Sequence, residues 1–292
     1  MAQPMLKILP TEAQTTKTHM NLKLLTNAFV MLATGALYGT EIDLTTPGDT
    51  SLHQVTADFG GNGFVQNFTS NPAGTGVFDP FLTLERAASG GNPVNSESAY
   101  NTDGFTALYL DQQRPQWNDR LKLSDLAVVN QGNVSYYVFE LDANEPGGDK
   151  SLLSIDNVRI YTSAADNTGG VQSDESKLND LGTLRWAMND PLKAGSLYNV
   201  DEWIKLDASL SDQLKKANGG SGWSDMLLYV PVSAFAGALP NDYVWFYNLN
   251  GVHYSADYDP NDVNLGAEAG YEEWRAVVAN AVPDGGATVA ER

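Results

Sequence analysis

An all-β fold, an antiparallel β-sandwich of jelly-roll type, is what this sequence predicts, on three observations. Between Thr40 and Val278 apolar residues recur with a period near two, in runs rich in Val, Ile, Leu, Tyr, Phe and Trp. Those runs are separated by turn-forming clusters such as Gly60-Gly61-Asn62-Gly63, Gly90-Gly91-Asn92-Pro93, Pro146-Gly147-Gly148-Asp149 and Asn218-Gly219-Gly220-Ser221-Gly222. Helical signals are few, and no repeat of solenoid or propeller length recurs. With 292 residues, 42% hydrophobic and 10% aromatic, the chain can build a sizeable core.

Element by element, the chain begins with an address rather than with fold. Residues 24–37 form an apolar stretch interrupted by Thr, Asn and Gly, with Lys23 before it and Tyr38-Gly39-Thr40 after. It is too short for a bilayer core, which takes about 20 residues, and its basic flank and small residues fit a secretory signal. Met20 stands where such a signal would start. Residues 1–19 then read as a mis-assigned extension, 20–39 as the signal, and cleavage is expected between Gly35 and Thr40. Strands are expected over 77–85, 121–130, 134–142, 152–162, 181–188, 203–208, 226–232, 243–249 and 271–278. In the 134–142 strand, Tyr136, Val138, Glu140 and Asp142 share one face, and Tyr137, Phe139 and Leu141 form the core-facing one. Tyr243-Val244-Trp245-Phe246-Tyr247 has no polar face, which predicts a central strand covered on both sides. One short surface helix is expected over 209–217, capped by Ser209, and a helical turn after Pro231. Nothing of low complexity divides the body, so 40–278 reads as one sandwich domain.

Charge and composition remove many function classes. The chain has 36 acidic against 17 basic residues, a net of −19, which opposes phosphate-directed binding of nucleic acid and anionic membranes. Removing residues 1–39 takes away three Lys and one Glu, so the body is more acidic still. With no Cys, disulfides, thiolate catalysis, iron–sulfur clusters and Cys-bound zinc are excluded. Three His leave little for a His-rich metal centre. There is no Gly-x-Ser-x-Gly, His-Glu-x-x-His, Walker loop or dinucleotide fingerprint.

Near the C-terminus Val282-Pro283-Asp284-Gly285-Gly286 resembles the Val-Pro-Asp-Ser-Gly variant of the PEP-CTERM sorting tail. That resemblance implies an exported protein of a Gram-negative bacterium that makes exopolysaccharide. In the family an apolar helix and an Arg-rich end follow the motif; here Ala290-Glu291-Arg292 comes instead, so 279–292 reads as a truncated tail.

Several constellations could carry chemistry. Glu140, Asp142 and Glu145, spaced Glu-x-Asp-x-x-Glu, resemble the catalytic strand of laminarinase-type glycoside hydrolases. The resemblance would make Glu140 nucleophile, Asp142 helper and Glu145 acid/base. The same stretch also reads as a structural Ca²⁺ loop, with Asp142, Asn144, Glu145, Asp149 and Asp156 as hard oxygen ligands. The segment Ser154-Ile155-Asp156-Asn157-Val158-Arg159-Ile160-Tyr161 resembles strands of carbohydrate-binding jelly rolls, in which a rim calcium is common. Asp257, Asp259 and Asp262 form a second acidic loop suited to a hard cation. Trp117, Trp203, Trp223 and Trp274 adjoin polar loops, and the first three are candidates for stacking on sugar rings; Trp186 and Trp245 read as core. The leading expectation is an exported, non-enzymatic protein of the cell surface or extracellular matrix, whose partners are polysaccharide or envelope components and whose body has no transmembrane helix. The alternatives are a calcium-dependent carbohydrate-binding module and a glycoside hydrolase.

Overall fold

The computed structural model describes residues 40–67, 79–85, 96–102, 117–145, 151–171, 174–189, 202–210, 223–252, 265–267 and 271–278. In chain order their strands are β1 (Thr40–Leu44), β2 (His53–Val55), β3 (Gly63–Asn67), β4 (Leu82–Leu84), β5 (Glu97–Tyr100), β6 (Leu121–Lys122), β7 (Val128–Gln131), β8 (Val134–Ala143), β9 (Leu152–Ser163), β10 (Thr183–Ala187), β11 (Glu202–Asp207), β12 (Met226–Pro231), β13 (Tyr243–Asn250) and β14 (Glu272–Ala276). They form two sheets. The first runs β1-β11-β9-β13-β5, with β10 also on β9 and β6 also on β13. The second runs β2-β3-β12-β8-β14-β4, with β7 also on β8. The β1–β11 pair is parallel and the other strand pairs are antiparallel. The expected all-β sandwich is what the chain forms.

Local chemistry sets the hairpins. Gln131 faces Val134 across the β7–β8 turn, so Gly132 and Asn133 make a two-residue loop. Gly132 has φ +60°, the left-handed value that such tight loops need. Gly60 (φ +88°) lies where a Cβ would come 2.3 Å from the Arg185 carbonyl oxygen. Its lack of a side chain lets Phe59 bridge to Ala187, which ties the segment before β3 to β10 across the sandwich edge.

Alternation then builds the core. On β8, Tyr137, Phe139 and Leu141 point between the sheets, as the period-two reading requires. The Phe246 ring is the hub, with centroids 4.8 Å from Trp274, 4.9 Å from Phe139 and 5.5 Å from Phe81. Rings at these separations add specific packing to the large apolar area they bury. β13 is covered on both sides, as expected. Val244 and Phe246 enter the central core, while Trp245 and Tyr247 join Tyr100, Tyr161, Val171, Leu178 and Leu181 in a second cluster. The last three come from the helical turn Thr168–Val171 and the 3-10 segment Glu175–Leu181. This cover carries no clear amphipathic period, and the sequence did not announce it.

Other departures have local causes. The expected strand over 121–130 is interrupted by a 3-10 turn, Leu123–Asp125, because the Asp125 carboxylate accepts the Lys122 N–H at 2.9 Å and turns the chain. The helical turn after Pro231 is the 3-10 segment Val232–Phe235. The short strands β1, β3 and β5 arise from long-range pairing, and β2 from its pairing with the adjacent β3, neither of which short, polar-rich segments signal. Most of the expected helix over 209–217 lies outside the described residues, as do the signal segment 20–39 and the tail motif at 282–286. No helix among the described residues is long and apolar enough to cross a membrane.

Candidate functional site

The acidic residues singled out along β8 divide between surroundings. Glu140 has the strand parity of Tyr136 and Val138, which cluster with Leu227 and Tyr229 on the face of the second sheet turned away from the core. Arg275, opposite Glu140 in the β14–β8 register, gives the Glu140 carboxylate two hydrogen bonds, from Nε at 2.9 Å and Nη2 at 2.5 Å. Ser224 Oγ donates a third at 2.5 Å. Glu140 is thus the acceptor of a largely buried, charge-assisted pair. The neighbouring Asp142, also buried, sits opposite Glu273.

Glu145 belongs elsewhere. It follows the end of β8 and lies close enough to Glu272 to repel its charge. The strand parity of Glu272 is that of Trp274, which is in the inter-sheet core. The hydrolase reading therefore meets a geometric correction: Glu140 faces outward and is engaged by Arg275, while Glu145 stands with the carboxyls at the end of the core.

The calcium loop is also redistributed. Asp156 lies on β9 in the other sheet, where it accepts Ser154 Oγ at 2.9 Å and the Val252 N–H at 2.7 Å. Asn144 donates its amide to the Tyr271 carbonyl at 2.9 Å. Asp142 sits on β8, and Asp149 is outside the described residues. Among the described residues, no three Asp, Glu, His or Cys side chains stand grouped as a ready metal site, so Asp142, Glu145 and Asp156 do not share one. Asp257, Asp259 and Asp262 are outside the described residues.

The aromatic candidates need a similar correction. Trp203 is 1% exposed and Trp223 4%, so neither ring is available to stack on a sugar; Trp274 is fully buried, and Trp117 remains 43% exposed. Trp186 and Trp245 are core, as expected. Proximity to polar residues misled because Trp203 and Trp274 lie on strands, where Trp203 packs with Leu265 and Leu152 and Trp274 belongs to the inter-sheet core.

What the structure gathers, and the linear reading missed, is a polar end to the core. The inner-facing side chains of β13 run Val244, Phe246, Asn248, Asn250, from apolar to amide. Asn248 Oδ1 accepts Trp274 Nε1–H at 2.9 Å, and Asn250 Nδ2 donates to Glu97 Oε1 at 2.8 Å. Glu97 shares the parity of Ala99, also a core residue, so it too points between the sheets. Across the gap the Glu272 carboxyl stands within reach of a proton shared with the Glu97 carboxyl. Burial first, and then the charges of Glu97 and Glu145, push the Glu272 carboxyl well above the usual carboxylate range. Glu97, Glu272 and Asn250 are all essentially buried. A signal existed in the polar residues on core parity, Asn248 and Asn250 after Phe246 and Glu272 before Trp274. It becomes legible only once both sheets are known.

The other end of the sandwich differs. A cleft of about 450 Å³ there is lined by Leu123, Leu126, Tyr137, Phe235, Ala238 and Pro240. Comparison with protein-family models, with curated proteins and with solved structures finds no match to this chain.

Proposed function

We propose that the protein is an exported, non-catalytic component of the cell surface or extracellular matrix of an exopolysaccharide-producing Gram-negative bacterium. One observation carries the reading: a β-sandwich body lies between a signal-like segment at 20–39 and a tail that resembles a PEP-CTERM sorting motif at 282–286. A non-catalytic role is favoured because Glu140, the strongest nucleophile candidate, already neutralises Arg275. The high acidity of the body keeps it soluble and suits a medium rich in divalent cations and glycans.

Export is tested by expressing the full chain in a Gram-negative host, separating cytoplasmic, periplasmic and extracellular fractions, and sequencing the N-terminus of the recovered protein. The expected product lies outside the cytoplasm and begins between residues 36 and 40. A chain that stays in the cytoplasm with its first forty residues intact would overturn the proposal.

A further inference from the structure

The polar end of the core poses a question of charge. Glu97 and Glu272 reach toward each other from opposite sheets, Glu145 adds a third carboxyl beside Glu272, and all are buried. Burying carboxylates together is costly unless a proton or a cation offsets their charge. The hydrogen-bonding vacancies here are of one kind. Glu272 Oε1 and Asn250 Oδ1 are both buried without a hydrogen-bond partner, and both are oxygens. Asn250 is fully buried, and its amide nitrogen is fixed on Glu97, which holds the whole carboxamide against the carboxyl pair.

A proton shared by Glu97 and Glu272 accounts for the contact between them. It leaves the buried Asn250 side-chain oxygen unanswered. One hard cation beside the carboxyl pair would answer it and offset the buried charge.

We infer that this inter-sheet end is a divalent-cation site, with calcium as the ion, held by Glu97, Glu272 and the Asn250 side-chain oxygen. Glu145 contributes negative charge beside it. The donor set is oxygen alone, which favours calcium over zinc or copper, and two carboxylates with one amide oxygen leave room for waters and carbonyls in its larger shell. The ligands lie on β5, β13 and β14, so the ion would tie the two sheets together at this end. The site differs from the loop expected along β8, and it stands whether or not the protein is exported.

The test uses the full chain, treated with EDTA and dialysed, in thermal unfolding with and without 1 mM CaCl₂. Calcium is expected to raise the midpoint by roughly 5 °C, as a ligand specific to the native state does. In Glu272→Gln the response to calcium should vanish, while the calcium-free midpoint stays level or rises because a buried like-charge contact is gone. Terbium luminescence excited through tryptophan supplies a second readout, since Trp274 lies on the same strand face two residues away. Emission should appear with wild type, be displaced by calcium, and fall at least tenfold in Glu272→Gln. Should Glu272→Gln fail to fold, Asn250→Ala is measured in the same two ways, with a calcium affinity at least tenfold weaker expected. Equal wild-type midpoints with and without calcium would overturn the inference and leave the carboxyls held by a shared proton. A full calcium response in a folded Glu272→Gln variant would overturn it as well, by placing the ion elsewhere.

Discussion

Arg275 and Glu140 show how one side chain on a strand face becomes indispensable. Both Arg275 donors reach one oxygen of Glu140, and Ser224 donates to that same oxygen. Removing the cation would leave a largely buried carboxylate with a single hydroxyl for compensation. Arg275→Met is therefore expected to cost about 2–4 kcal/mol, somewhat below the range for a fully buried pair because Arg275 keeps partial solvent access. Urea denaturation measures the loss. Glu140→Gln combined with Arg275→Met should recover at least half of it, since the orphaned charge goes too.

Glu202 offers a residue-scale prediction in pH. Its side chain accepts the Thr56 N–H at 2.6 Å, joining β11 to the segment after β2. Burial raises its carboxyl above the usual 4.5 and Asp58 adds to the rise, while the Thr56 hydrogen bond opposes them. A raised folded-state value means that the native protein holds this proton more tightly than the unfolded chain. The associated stability is complete below pH 4.5 and is lost as pH rises through the folded-state value. Glu202→Gln keeps an acceptor for Thr56 and cannot ionise. Its urea midpoint should fall less steeply than wild type between pH 4.5 and neutrality, and identical slopes would show that Glu202 contributes nothing to the profile.

At the scale of elements, the outer face of β13 depends on a cover that is not itself a regular element. Trp245 and Tyr247 would face water without Val171, Leu178 and Leu181, which arrive on a helical turn and a 3-10 segment. Asp174 caps the latter by accepting the Ser176 N–H, and Asn167 Nδ2 donates to the Leu181 carbonyl at 3.0 Å. These local polar bonds replace the ladder that a longer helix would supply. Leu181 is fully buried, and Leu181→Ala is expected to destabilise by about 2–4 kcal/mol through lost burial and an incompletely collapsed cavity. An early loss of near-ultraviolet Trp dichroism on heating, ahead of the far-ultraviolet β signal, would show that the cover frays before the sheets do.

For the molecule as a whole, both sheets close on one core. Phe246 from the first sheet meets Phe139 and Trp274 from the second, so neither sheet buries its inner face alone. The two ends of that core are chemically unlike, with an apolar cleft near Tyr137 and Phe235 and a carboxyl-and-amide cluster at Glu97, Asn250 and Glu272. The chain's excess of acidic over basic residues favours well-hydrated carboxylates at the surface. Carboxyls placed between sheets are a different matter, and tertiary structure alone separates the two populations.

By itself the sequence determined the fold class, most of the long strands and their core-facing sides. Tyr137, Phe139 and Leu141 alternate within one strand, and alternation is a property of neighbours that linear order preserves. The run 243–247, which has no polar face, likewise announced a strand buried twice over. Only the tertiary structure decided which acids meet. Glu97 and Asn250 are 153 residues apart and become partners through the β5–β13 register, while Glu140, just five residues before Glu145, is held on the opposite face by Arg275. Strand pairing brings distant residues together without leaving a local periodic trace, which is why six acidic-rich residues along β8 and its turn pointed to a site and the chain assembled a different one across its sheets.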